Sequence, residues 1–140
     1  MGYLAEGEKC TVLLVDDHEG LRQELRDLLT KQEDIEVIGA VGDGDEALHF
    51  LKSCEPHVII LDLTMPKMDG IEAAGLIKRS CPSVVIIGLC FTHDPMTVDA
   101  FLRAGATAVL SKADQLKEVT SIIRRACPRR ASASQVKADT

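Results

Sequence analysis

The sequence predicts an α/β domain in which five parallel strands form one sheet and five helices cover both of its faces. Two patterns carry this prediction. Five short runs rich in β-branched residues recur along the chain, and the stretches between them place apolar residues at helical spacing. The strand-like runs are continuously apolar rather than alternating, as burial on both sides of a sheet requires.

Residues 11–16 (TVLLVD) read as the first strand, and Leu21, Leu25, Leu28 and Leu29 then mark one face of a first helix. Residues 35–40 (IEVIGA) supply the second strand, followed by a helix on Ala47, Leu48 and Leu51. Residues 57–62 (HVIILD) supply the third, with Ile71, Ala74 and Ile77 on the helix after it. Residues 83–89 (SVVIIGL) are the fourth strand, and Val98, Phe101 and Leu102 the fourth helix. Gly105 stands where that helix needs a left-handed cap. Residues 107–111 (TAVLS) close the sheet, and Leu116, Val119, Ile122 and Ile123 define a last helix. Periodicity then stops in a Ser- and Ala-rich stretch. The expected organisation is one domain over residues 10–126, an N-terminal extension over 1–9, and a flexible tail or linker start over 127–140.

With 46% hydrophobic and 27% charged residues in 140, the composition is that of a soluble globular domain. No apolar run is long enough for a bilayer, and residues 1–10 lack the apolar block of a secretory signal. Cys10, Cys54, Cys81, Cys90 and Cys127 are odd in number and contain no C-x-x-C pair. That pattern argues against a zinc site or disulfide framework and for a reducing, cytoplasmic compartment. A net charge of −6 offers no general attraction for nucleic acid. Arg124, Arg125, Arg129 and Arg130 do cluster late. They admit a phosphate-binding reading, but cations at the negative end of a last helix account for them more simply.

Carboxylates are the informative exception to the apolar strands. The first strand runs into Asp16 and Asp17, and the third ends at Asp62. In open α/β sheets, the carboxyl ends of the strands line the ligand crevice. If the strand order is taken as 2-1-3-4-5, strands one and three are neighbours and the three acids converge. Such a group repels itself unless a cation is present, and an all-oxygen set suits a hard ion such as Mg2+. Helix capping could account for Asp17, but not for three acids on two strands. Lys112 follows the fifth strand at the same edge. Carboxylate, metal and ammonium together make a site for phosphoryl transfer.

At this point VLLVDDHEGLRQEL, VIILDLTMPKMDGIEA and FLRAGATAVLSKAD, in that order, resemble the receiver domain of bacterial two-component response regulators. The D-D-H start is most like NarL/FixJ-like (LuxR-type) members, and Lys112 follows Asp62 by the family's spacing of 50 residues. The resemblance implies a doubly wound (βα)5, flavodoxin-like receiver fold with strand order 2-1-3-4-5. It makes Asp62 the phosphoacceptor and Asp16 and Asp17 metal-site acids, with Asp17 the direct ligand. The backbone carbonyl of Thr64 completes the metal ligands, Lys112 pairs with the phosphoryl group, and Pro66 and Gly70 shape the loop after strand three. It further implies Mg2+ (or Mn2+), a sensor histidine kinase or small phosphodonor, and a possible homodimer. DNA would be reached only through an output domain outside this chain. The domain signals and is not an enzyme in the turnover sense.

Two positions depart from the family. Its strand-four Ser or Thr falls on Cys90, whose thiol is a weak hydrogen-bond donor, with Thr92 two residues further on. Its strand-five aromatic falls on Val109. These changes raise an alternative, a pseudo-receiver that binds or dimerises without being phosphorylated. A haloacid-dehalogenase-type enzyme would need a second Asp where Thr64 stands, and D-D-H-E-G matches neither phosphate-binding glycine motif.

Overall fold

A computed structural model describes residues 8–63, 69–90, 94–112 and 116–127. Strands β1 (Cys10–Val15), β2 (Ile35–Val41), β3 (Val58–Asp62), β4 (Val85–Cys90) and β5 (Ala108–Ser111) alternate with five helices. These are α1 (Glu19–Thr30), α2 (Gly44–Phe50), α3 (Gly70–Ser80), α4 (Pro95–Ala104) and α5 (Val119–Ala126), the last entered through a 3-10 turn at Leu116–Glu118. The sheet is parallel throughout and ordered β2-β1-β3-β4-β5.

Side chains alternate across the strands, so each strand feeds two cores. Val12, Leu14, Val58, Ile60, Ile87 and Leu110 point to one face, where Leu25 and Leu29 of α1 and Val119 and Ile123 of α5 cover them. Leu13, Val15, Ile59, Leu61 and Ile86 point to the other, beneath Ala47 of α2, Ala74 and Ile77 of α3, and Phe101 of α4. Each large aliphatic side chain buried this way contributes roughly 1.5–3 kcal/mol.

Local signals set the helix ends. Asp94 caps α4 by accepting the Met96 N–H, Pro95 opens the helix, and Gly105 closes it at φ 123°. Asp43 and Asp69 cap α2 and α3 in the same manner. Gly88 answers a packing demand instead: a β-carbon there would lie 2.1 Å from Cε2 of fully buried Phe101.

The cysteine expectation is overturned. Cys10 and Cys127 are joined by a disulfide with Cα atoms 6.3 Å apart, whereas Cys54, Cys81 and Cys90 are free thiols. Both bridged residues are buried in the α1/α5 core, so Cys127, placed in the tail by the sequence, packs with the domain. The rest of the expected tail, 128–140, and residues 1–7 of the N-terminal extension lie outside the described residues. Arg124 is held by Asp34, with Nε–Oδ2 2.8 Å, which removes it from any phosphate patch.

The Gly88–Phe101 contact sets a stability test. Gly88→Ala is expected to cost about 1–3 kcal/mol by overpacking. Adding Phe101→Leu should recover part of that loss in urea unfolding, and independent, additive losses would contradict the contact.

Candidate functional site

The carboxyl ends of β1 and β3 meet because these strands are neighbours, with Val15 registered on Leu61. Asp16 follows β1 and is anchored by its N–H to the Val41 carbonyl at 3.0 Å, while Nη1 of Arg22 donates to the Asp16 carbonyl at 2.9 Å. Asp62 is the last residue of β3 and registers on Leu89 of β4. Lys112 follows β5, and its N–H donates to the Cys90 carbonyl at 2.8 Å. The ends of all five strands therefore fix the site.

Three ionisable side chains are buried here: Asp16, Asp62 and Lys112. Lys112 Nζ is 2.9 Å from Asp62 Oδ1 and 3.6 Å from Asp16 Oδ2. Asp17 is more open, and its Oδ1 is 3.2 Å from Nδ1 of His18. The same His18 nitrogen is 3.2 Å from Asp16 Oδ1 and 3.5 Å from Asp62 Oδ2. Burial pushes the Asp16 carboxyl above its usual range; the His18 N–H, donating to Oδ1 at 2.8 Å, opposes that shift. The Asp62 charge reinforces the rise and Lys112 counters it. One ammonium between two buried carboxylates, with a third alongside, leaves the corner short of positive charge.

The donor set suits a small cation. Ligand atoms of Asp16, Asp17, His18 and Asp62 all lie within 4.8 Å of one another. Asp16 Oδ2 is buried with no hydrogen-bond partner among the described residues. Asp17 is not spent on capping: the cap position of α1 is His18, and it makes no side-chain cap bond. Oxygen donors dominate, as Mg2+ or Mn2+ prefers.

Gly70, the first residue of α3, presses against the acid strand. A β-carbon there would lie 2.5 Å from Leu63 Cα and 3.0 Å from the Asp62 carbonyl oxygen, so only glycine lets the helix approach this closely. Cys90 ends β4 in a buried position, registered on Ser111. Val109 pairs with Gly88 and packs at the edge of the α4 core. Thr64, Pro66 and Thr92 lie outside the described residues. The sequence reading assigned no role to His18 or Arg22. The signal for His18 was its place beside Asp17 at a strand end, whereas Arg22 acts on a backbone carbonyl that no motif marks.

Comparison with known proteins adds an independent line. The response regulator receiver domain family matches residues 12–124. The transcriptional regulatory protein LiaR of Bacillus subtilis is 42% identical over 115 residues, covering 82% of this chain and 54% of LiaR. Among solved structures, the response regulator domain of Thermotoga maritima CheB superposes with a TM-score of 0.79 at 30% identity, covering 85% of this chain and 96% of that one. The receiver domain of NarL from Mycobacterium tuberculosis gives 0.78 at 29%, covering 85% and 97%. The chain spans about half the length of the curated relatives it matches.

The charge imbalance generates a test in EDTA. Lys112→Met should lower unfolding free energy by on the order of 3 kcal/mol, since it leaves buried acids uncompensated. Asp16→Asn should raise the melting temperature by relieving repulsion. Equal signs for the two variants would mean the corner is not under net negative charge.

Proposed function

The chain belongs to the response regulator receiver domain family of two-component systems, and on that premise we propose that Asp62 accepts a phosphoryl group in a Mg2+- or Mn2+-dependent reaction. The observation that carries the reading is the buried Lys112–Asp62 pair at 2.9 Å with Asp16 and Asp17 at the same strand ends. A pair meant only for stability would gain little by keeping a second buried acid beside it.

In this reading Asp16, Asp17 and Asp62 would hold the ion; the Thr64 carbonyl expected to join them lies outside the described residues. A bound Mg2+ supplies positive charge to the acids and to the phosphoryl oxygens. Asp62 attacks phosphorus through one carboxylate oxygen. With a phosphohistidine donor the nitrogen–phosphorus bond breaks and the leaving imidazole takes a proton from solvent; with acetyl phosphate, acetate leaves. Lys112 then pairs with a phosphoryl oxygen instead of with the free carboxylate, so its ammonium reports the change of charge to β5. Gly70 lets α3 press against the end of β3.

The relay beyond the site is reduced. A thiol at Cys90 gives up a charge-assisted hydrogen bond worth roughly 1.5–3 kcal/mol, and Val109 has no aromatic ring to turn. Phosphorylation therefore biases the active arrangement weakly, because a ligand shifts an equilibrium only by its differential interaction with the two states. The partner is a sensor histidine kinase, the setting is the cytoplasm, and the active form pairs with a second copy. Any contact with DNA would run through an output domain outside this chain. No helix among the described residues is long and apolar enough to cross a membrane.

Incubation with acetyl phosphate and Mg2+, read by intact mass, should add one phosphoryl group. EDTA or Asp62→Asn should abolish the addition. An unmodified wild-type chain would reverse the reading in favour of a receiver fold used only for binding. In NMR with beryllofluoride, Cys90→Ser should enlarge the shifts over α4 relative to the wild type. Equal, full shifts in both would show that the thiol relays as well as a hydroxyl.

A further inference from the structure

The corner where β1 begins and α5 ends carries chemistry that phosphoryl transfer does not use. Cys10 is the first residue of β1, and Cys127 is the cap residue after α5. They are 117 residues apart in sequence and joined by a disulfide. The bridge lies at the opposite end of β1 from Asp16, about 20 Å away at the rise of a strand. A ring nitrogen of half-buried His57 stands within 4.8 Å of both sulfurs; Cys10 is fully buried, and Cys127, 5% exposed, is the side from which a small thiol would enter.

Two cysteines and a histidine also suggest a soft-metal site, but the imidazole is committed. His57 Nδ1 accepts the Thr11 backbone N–H at 2.9 Å, and a backbone N–H can only donate. The neutral ring therefore carries its proton on Nε2, and neither nitrogen offers a free lone pair. Thiol chemistry remains.

The mechanical setting of α5 gives that chemistry a consequence. The helix has eight residues and no side-chain cap bond at its start. Val119 and Ile123 bury its inner face, and two ties hold its last turn to the same corner. One is ionic: Arg124 Nε to Asp34 Oδ2 at 2.8 Å, where the Asp34 carbonyl also accepts the Cys10 N–H at 2.8 Å. Nη2 of Arg124 adds bonds to Asp34 Oδ1 at 3.2 Å and Gln32 Oε1 at 2.6 Å, but the pair is partly exposed and therefore screened by salt. The other tie is the disulfide.

We propose that Cys10 and Cys127 are a reversible thiol–disulfide latch that fastens the last turn of α5 to the start of β1, and that small thiols of the glutathione class release it. Closure runs by exchange. One cysteine thiolate attacks a small-molecule disulfide, one thiolate leaves, and the second cysteine displaces the other from the mixed disulfide. The protein loses two electrons and two protons, and one small disulfide becomes two small thiols. Opening is the reverse. Reversibility follows from the cytoplasmic setting proposed for a two-component receiver, where a protein disulfide is usually redox-responsive rather than permanent. The latch does not depend on Asp62 being phosphorylated.

The full chain, equilibrated in glutathione buffers of graded ratio, is trapped with N-ethylmaleimide under denaturing conditions and weighed. The oxidised form should take three labels, on Cys54, Cys81 and Cys90, and the reduced form five. The change should fall within the glutathione range. Amide exchange over residues 119–127 should be roughly tenfold faster when reduced, with β3 unchanged. Cys127→Ser, and separately Cys10→Ser, should show the fast exchange in every buffer. Three labels throughout would mean a permanent cross-link, and five throughout would mean no bridge. Equal exchange in both redox states would mean a bridge without mechanical effect. Each of these outcomes overturns the latch.

Discussion

One ammonium group stands between two carboxylates that have been taken out of water, and the rest of the molecule is arranged to make that tolerable. Lys112 reaches Asp62 from β5 and Asp16 from the far side of β1. Burying three charges of unequal sign costs more than a hydrophobic filling of the same corner. The proposed cation and phosphoryl group would offset that expense. Without Lys112 the two buried acids would face one another uncompensated.

Holding such a corner requires rigid supports, and the parallel sheet supplies them. Each of the three buried groups sits at or just after the end of a strand whose residues are packed on both faces. Backbone bonds from Asp16 to Val41 and from Lys112 to Cys90 carry this order past the last strand residues. Phe101 lying on bare Gly88 lets α4 approach the strand that ends in Cys90. That closeness joins the end of β4 that carries Cys90 to α4, against whose core Val109 also packs.

The strands, the helices and the interrupting acids were legible in the sequence because each is local, whereas the meeting of the acids rested on a strand order that the family resemblance supplied. Buried parallel strands must be apolar runs, their helices must repeat at 3.6 residues, and an aspartate at a strand end interrupts the run visibly. Gly105 could be read as a helix stop for the same reason. The disulfide could not be read this way. Cys10 and Cys127 become neighbours only once β1 lies centrally in the sheet and α5 folds back across its face, and their 117-residue separation hides this. Cys127 also precedes a Ser- and Ala-rich stretch, so composition drew the boundary one residue too early. His18 was quoted within its motif but left without a role, since only the folded site shows its ring nitrogen near three acids.

Strand β1 carries two unrelated chemistries, a sulfur bridge where it begins and a carboxylate just after it ends. Between them run Val12, Leu13, Leu14 and Val15, all essentially without solvent contact. Nothing along that stretch can titrate, ionise or exchange, so it behaves as an insulator between two terminals. A cell could write oxidation at one end and phosphate at the other, and the domain could hold both marks at once.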